Sequence, residues 1–170
     1  MRRVEVSQYK EEWASLFKEE AEKLTGIYGE ELIDIHHIGS TSVVGLEAKP
    51  IIDIMPVVKD IRVVDNYNHL MYELGYKPKG ENGIAQRRFF EKGGNDRTHH
   101  VHIYQVGSPE IERHLAFRDY VKSHKEAANE YGQLKKQLAQ QFPYDIESYI
   151  RGKETFVSKI EHEALRWYQS

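Results

Sequence analysis

The fold is decided by residues 37–54, which read HIGSTSVVGLEAKPIIDI. Gly39 lets backbone amides approach an anion, because a glycine has no Cβ in the way. Ser40, Thr41 and Ser42 add hydroxyl donors to the same loop. We expect Ser40 or Thr41 to cap a short helix whose N-terminus favours phosphate. This stretch therefore predicts a phosphate-binding loop.

An aspartate stands inside the apolar strand predicted after the loop. Asp53 is flanked by isoleucines on both sides, and an ionised carboxylate in such a place costs free energy unless it is paired or bound to a metal. Lys49 offers a cation between loop and strand. A divalent ion bridging Asp53 and a phosphate group would satisfy both features. The alternative is an ordinary turn with Asp53 paired to an arginine, and a short motif alone favours that alternative.

The rest of the chain predicts helices around a small sheet. Strands are predicted at residues 32–38, 50–58, 76–79, 86–91 and 99–106. Helices are predicted near residues 13–24 with Ser7 as the cap, at 61–74, from Ser108, around 127–138 and from Asp145. Pro50 and Pro56 are expected to limit the second strand, because proline cannot donate to a sheet ladder. The prediction is one α+β domain over residues 1–170, with a small mixed sheet and a helical C-terminal third.

Composition and charge narrow the classes of protein. The chain has 170 residues and no cysteine, so disulfides and thiolate metal sites are excluded. Its net charge of -3 argues against nucleic acid as a non-specific partner, although a local basic groove is still compatible with it. The first residues carry no apolar stretch, so we expect no signal peptide, and no run approaches the roughly 20 apolar residues that a membrane span needs. We predict a cytoplasmic protein without membrane partners.

Two histidines could complete a metal site. His100 and His102 alternate on their predicted strand, so both face the same side of the sheet. If that strand lies near Asp53, the three residues form a cluster that suits zinc, manganese or iron better than magnesium. Glu91 on the preceding strand is a further candidate ligand. The alternative is that the histidines bind a phosphate anion or hydrogen-bond neighbouring residues.

An arginine could bind phosphate beside this cluster. Arg87 and Arg88 are adjacent on a strand and therefore face opposite ways. We assign the phosphate-binding role to Arg88, with the Arg87/Glu91 set or a solvated strand edge as alternatives. Arg118 and Asp119 are expected to form a pair that fixes a helix to the sheet rather than to act in catalysis.

Motifs spread over almost the whole chain carry a family resemblance. They are residues 9–13, 38–42, 48–54, 100–103 and 117–120, then Tyr131, 134–135, 138–139, Asp145 and Tyr149. Together they identify the sequence as similar to the GrpB family, to which domains fused to dephospho-CoA kinase are related. The family looks like a branch of the nucleotidyltransferase-fold superfamily. The resemblance therefore implies a nucleotidyltransferase-like fold.

The resemblance also implies a chemistry. Enzymes of that superfamily carry a Gly-Ser turn followed by an acidic pair on one strand, and they use two metals held by three carboxylates to transfer a nucleotidyl group. By resemblance, Gly39 and Ser40 take the Gly-Ser position and Asp53 takes the first acidic position. Met55 stands where the second acid belongs, and methionine does not ligate magnesium.

Two main hypotheses follow for the function. The first is metal-dependent nucleotidyl transfer from a nucleoside triphosphate to an unknown acceptor, with Asp53 as the catalytic residue. The second is a non-catalytic module that binds a nucleotide or a phosphorylated metabolite, and a partner-binding protein with a vestigial pocket ranks third. The expected cofactor is a divalent metal (Mg or Mn, with Zn as an alternative) held by Asp53, His100 and His102. The expected ligand contacts are Gly39, Ser40, Thr41, Ser42, Lys49 and Arg88.

Overall fold

The structure is a computed structural model, and it describes residues 3–170. Within this range it contains five strands and five α-helices. The strands are β1 (Leu32–Ile38), β2 (Ile52–Val58), β3 (Tyr76–Pro78), β4 (Arg88–Lys92) and β5 (His99–Gln105). The α-helices are α1 (Glu12–Tyr28), α2 (Asn68–Glu73), α3 (Pro109–Ser123), α4 (Lys125–Gln141) and α5 (Ile146–Gln169). Short 3-10 helices lie at Gly29–Glu31, Ser40–Ser42 and Ile61–Tyr67.

The strands form one mixed sheet in the order β1-β2-β5-β4-β3. β2 pairs parallel to β5, and the other three pairings are antiparallel. β2 thus has a neighbour on each side, which fits its nearly continuous apolar sequence. The α+β class and the mixed sheet predicted from the sequence are confirmed.

The two faces of the sheet differ in character. One face, which includes Ile54 and Val101, packs in the main core against Trp13 and Leu24 of α1. The opposite face carries Asp53, His100 and other polar groups at alternate positions of β2 and β5. Its apolar part packs against Ile111 and Leu115 of α3. The candidate site therefore lies on the second face, between the sheet and the C-terminal helices.

The helical C-terminal third is confirmed in detail. Ser108 accepts a hydrogen bond from the amide of Glu110 at the start of α3, and Asp145 does so from Ser148 at the start of α5. α5 packs against both α3 and α4. Within residues 3–170, none of the helices is long and apolar enough to cross a membrane. The single-domain organisation and the cytoplasmic location stay predictions.

Two local predictions are wrong. Ser7 does not cap α1, because its backbone pairs with Ala48 in an isolated bridge and the helix begins only after Glu11. Pro56 does not end the second strand. It pairs with Ile35 of β1, while the ladder to β5 passes from Ile54 to Val57. A missing N–H therefore interrupts one ladder without ending the strand.

Candidate functional site

The Gly-Ser turn is fixed by its contact with Asp53. Gly39 has φ of 72°, which favours glycine, and a Cβ added there would lie 2.6 Å from Oδ2 of Asp53. The next three residues make a single 3-10 turn whose first amides have no side-chain cap. The expectation that Ser40 or Thr41 caps a helix is therefore wrong, since Gly39 occupies the cap position and the turn is too short to be a helix with a useful dipole.

The three hydroxyls of the turn are not equivalent. Thr41 is buried, and its Oγ donates to the carbonyl of Ile51 at 3.3 Å and lies 2.9 Å from Nε2 of His37. Ser42 donates to the carbonyl of Gly39 at 2.5 Å. Both hydroxyls hold the turn in shape. Ser40 and Thr41 both line the adjacent pocket, but the Thr41 hydroxyl is already engaged, so Ser40 has the hydroxyl of the turn best placed to contact a ligand.

Asp53 meets two imidazoles from the neighbouring strand. Its Oδ1 lies 3.0 Å from Nε2 of His102 and 3.5 Å from Nδ1 of His100. The parallel register places Asp53 opposite His100, and the ring of Phe89 packs against both histidines from β4. The three residues offer ligand atoms that all lie within 4.8 Å of one another, so the cluster expected from the alternation of the histidines is formed.

Burial and hydrogen bonding act in opposite directions on this cluster. Burial raises the pKa of Asp53, but the hydrogen bonds from His100 and His102 outweigh it and hold the pKa well below its usual range. Burial lowers the pKa of His102 in spite of the carboxylate beside it. At neutral pH the arrangement is thus an ionised carboxylate with a neutral imidazole as its donor.

A buried arginine sets the tautomer of His102. Arg87 is buried, and its Nη1 lies 3.5 Å from Nδ1 of His102 while its other nitrogens donate to the carbonyls of Glu81 and Asn82. A guanidinium only donates, so Nδ1 accepts and the proton of His102 sits on Nε2, facing Asp53. A metal bound at Nε2 would require that proton to move to Nδ1.

The arginine that faces the site is therefore Arg87, and the assignment of Arg88 is corrected. Arg88 lies opposite Ile103 on the other face of the sheet, where its Nε donates to Asp65 at 2.9 Å. The register of the β4–β5 hairpin decides this, because it pairs Phe89 with His102 and so sends Arg88 away from the site.

Other predicted residues are engaged elsewhere. Glu91 forms an ion pair with Arg97 at 2.6 Å and is not in the cluster. Arg118 bonds to Asp119 at 2.9 Å and donates to the backbone carbonyl of His37 at 3.2 Å, so it fixes α3 to β1 as expected. Met55 is fully buried. It packs in an apolar cluster, so no oxygen ligand stands at the second acidic position.

The pocket beside Asp53 contains residues that sequence reasoning missed. Its volume is about 180 Å³, and Ser40, Lys49 and His100 are among the lining residues that were predicted. Lys135 of α4, with Tyr149 and Lys153 of α5, also line it. One signal was present in the sequence: Lys135 falls on the apolar stripe of its helix, between Tyr131 and Leu138 at helical spacing.

The sheet, the Gly-Ser turn and the flanking helices define an α+β protein with a mixed five-stranded sheet. A distant likeness of fold is with a Cid1 poly(U) polymerase, H336N mutant bound to MgATP, at a TM-score of 0.47 and 10% identity. It covers 76% of this chain and 45% of that one. A likeness of this size says nothing about activity.

Comparison with nearer relatives is much more specific. Residues 3–163 match the family described as GrpB protein. The chain is 54% identical over 166 residues to UPF0157 protein YqkA from Bacillus subtilis (strain 168), which covers 98% of this chain and 48% of YqkA. The crystal structure of the conserved protein GrpB from Enterococcus faecalis matches with a TM-score of 0.95 and 46% identity, over 98% of this chain and 100% of that one. The chain belongs to the GrpB family, as predicted.

Two of the related proteins are about twice as long as the part of them that this chain matches. The chain spans about half the length of YqkA. A dephospho-CoA kinase from Mycolicibacterium paratuberculosis (strain ATCC BAA-968 / K-10) is 23% identical over 184 residues, which cover 94% of this chain and 45% of the kinase. The expected relation to kinase-fused domains is consistent with this partial match.

Proposed function

We propose that the chain binds a nucleotide or another phosphorylated small molecule together with one divalent metal ion. The observation that supports this most is the position of the Asp53, His100 and His102 cluster at the edge of a pocket lined by Ser40 and lysines. Bare Asp53 would repel a phosphate group, and a metal ion between them turns that repulsion into attraction. The lysines supply the remaining positive charge.

The ligand set favours manganese or zinc over magnesium. One carboxylate and two imidazoles are borderline ligands, whereas magnesium prefers oxygen. Donor atoms that share one tetrahedral zinc ion, at about 2.0–2.2 Å from it, lie about 3.4 Å apart. Oδ1 of Asp53 lies 3.0 Å from Nε2 of His102 and 3.5 Å from Nδ1 of His100, close to that separation. Metal binding at Nε2 of His102 would need the other tautomer of the neutral ring, with its proton on Nδ1, the nitrogen that lies 3.5 Å from Nη1 of Arg87.

Each residue has a separate role in this proposal. Asp53, His100 and His102 would hold the ion, which when bound would act as a Lewis acid on a phosphate oxygen. Ser40 would donate to the phosphate, and Thr41 and Ser42 would hold the turn through the bonds described above. Lys49 lies beside the ring of Tyr149 at the pocket wall and would add a cation.

Calorimetric titration tests the proposal in two steps. Mn²⁺, Zn²⁺ and Mg²⁺ are titrated separately into metal-free protein, and we expect Mn²⁺ and Zn²⁺ to bind more tightly than Mg²⁺. ATP, AMP and dephospho-CoA are then titrated with and without Mn²⁺, with adenosine as the control that lacks phosphate. A phosphorylated ligand should bind only weakly without the metal. If no metal ion and no phosphorylated ligand binds, the proposal is wrong.

Nucleotidyl transfer from a nucleoside triphosphate is the second candidate. It is favoured by the packing of Gly39 directly against Asp53, the geometry that the family resemblance implies for a Gly-Ser turn and its first acid. Met55 opposes it, since two metals would need further oxygen ligands. The test is release of pyrophosphate from each nucleoside triphosphate with Mn²⁺. If ligand binds without any pyrophosphate release over hours, this candidate fails and the binding proposal stands.

A further inference from the structure

Unpartnered buried polar atoms gather at one place in this molecule. Among residues 3–170, five buried side-chain polar atoms have no hydrogen-bond partner, and three of them belong to residues that line the pocket beside Asp53. They are Nε2 of His100, Nζ of Lys135 and the hydroxyl of Tyr149. A buried donor without a partner costs free energy, so their gathering indicates that a ligand completes them.

Lys135 is the least expected of these groups. Its side chain is 1% exposed, and its nearest described partner is the ring of Tyr131, 4.2 Å from Nζ to the ring centre. Lysine is almost never fully buried unless it is paired. The carboxylate of Glu47, which could have served, is instead bonded to Lys136 at 2.7 Å.

The surroundings of Lys135 are positively charged. Lys153 of α5 and Lys49 of the segment before β2 both line the pocket, and each has its Nζ 5.1 Å from the ring centre of Tyr149. Three amines therefore line one small pocket together with the carboxylate of Asp53, and a bound anion would be attracted by the amines that are charged.

We infer that this pocket is the subsite for a terminal phosphate group, in which Lys135 and the Tyr149 hydroxyl bind the phosphate oxygens and Lys49 and Lys153 balance the charge. The inference rests on the proposed function, because it assigns one end of the same phosphorylated ligand. A phosphate dianion has three terminal oxygens and two charges, which matches this set of donors better than a carboxylate with two oxygens and one charge.

Ligand binding at this subsite should take up a proton. Burial is the main cause that lowers the pKa of Lys135 to about 6. The charges of Lys153 and Lys49 lower the pKa further, and the charge of Glu47 opposes them. At pH 7.5 the amine is therefore mostly neutral. Burial raises the pKa of Tyr149, so its hydroxyl stays a donor. A phosphate group against Nζ favours the charged amine, and Lys135 then gains a proton.

The experiment uses inorganic pyrophosphate in EDTA and ATP with Mn²⁺ as probes. Each is titrated at pH 7.5 in two buffers with different ionisation enthalpies, so that the difference in heat gives the protons taken up. Lys135→Met keeps most of the length of the side chain and removes the amine, and Lys159→Met on the exposed side of α5 is the matched control. We expect Lys135→Met to bind about 10- to 100-fold more weakly and to take up close to one proton fewer per ligand. Lys159→Met should match the wild type within about twofold.

Tyr149→Phe is the second variant, and it tests the same subsite if Lys135→Met fails to fold. It removes only a hydroxyl that has no partner in the chain, so it should fold normally and bind about 3- to 10-fold more weakly.

Each outcome decides between the two claims. If Lys135→Met or, in its place, Tyr149→Phe binds both probes like the wild type, the inference is overturned while the proposed function stands. If the wild type binds neither probe, both fail. If pyrophosphate binding survives in Asp53→Asn but is weakened in Lys135→Met, the subsite is supported even where the metal part of the proposal is not.

Discussion

The two ends of the pocket treat buried polarity in different ways. At one end, which we call the metal end after the ion proposed to bind there, the Oδ1 atom of Asp53 meets two imidazoles, and Arg87 lies beside one of them. At the lysine end, the amine of Lys135 and the hydroxyl of Tyr149 have no hydrogen-bond partner. The first end leaves one buried polar atom without a partner, Nε2 of His100, whereas the second leaves two. The lysine end is for this reason the stronger indication that something binds.

The largest effect should come from the metal end. Asp53→Asn removes the only carboxylate of the cluster formed by the described residues, and we expect it to lower Mn²⁺ affinity by at least about 100-fold, since losing even a supporting partner of a metal ligand costs 10- to 100-fold. Calorimetric titration of Mn²⁺ measures it. Asp65→Asn, on the other face of the sheet, is the control and should bind normally. Equal affinity in Asp53→Asn and wild type would remove Asp53 from the metal centre.

The contact between the turn and the metal end gives the next largest effect. Gly39→Ala forces a Cβ toward Oδ2 of Asp53 and places alanine at φ of 72°. We expect a loss of about 1–3 kcal/mol in the free energy of unfolding, measured by urea denaturation. Gly26→Ala in α1 is the matched control, because an added Cβ meets nothing within 4 Å there. This variant should gain about 0.4–1 kcal/mol in the free energy of unfolding. Equal losses in both variants would contradict the packing described.

At the lysine end, removing the amine should raise the free energy of unfolding, whereas Gly39→Ala lowers it, and the gain should depend on pH. Burial lowers the pKa of Lys135 to about 6 from 10.5, so the unfolded chain binds more protons between these values and wild-type stability rises with pH there. Without ligand, Lys135→Met removes this penalty and should be more stable at pH 7 by about 1 kcal/mol or more, or about 2–4 °C in Tm. The gain should shrink as pH approaches 10. A variant destabilised equally at every pH would show that Lys135 is not a strained buried amine.

The smallest effect tests which face of the sheet carries the site. Arg88→Gln breaks an ion pair with Asp65 that is partly exposed, so it should cost no more than about 1 kcal/mol of stability. Binding of Mn²⁺ and ATP should change by less than about twofold, because Arg88 lies opposite Ile103, away from Asp53. A large loss of ATP binding would return Arg88 to the site.

The metal end could be predicted from the sequence because its signals are local. An aspartate inside an apolar strand stands out, and alternation along β5 is enough to place His100 and His102 on one face. The choice between Arg87 and Arg88 could not be predicted. It depends on the pairing of Phe89 with His102, which is set by the geometry of the hairpin turn rather than by the residues on the strand.

The lysine end could not be assembled in this way. Its groups come from α4, α5 and the segment before β2, and no short motif joins them. Lys135 did carry a signal, since a lysine on the buried stripe of an amphipathic helix breaks the expected pattern. What the sequence could not give is its neighbours, because they depend on how the C-terminal helices pack on the sheet.

The parallel pairing of β2 with β5 also has a consequence for the order of folding. Asp53 and His100 are neighbours in the sheet but belong to strands separated by β3 and β4 along the chain. Closing the long loop between two such strands costs chain entropy before the pairing is made, so we expect β5 to join β2 late in folding. The carboxylate would then stay hydrated until its imidazole partners arrive. We expect a chain trapped before that step to lack the metal end.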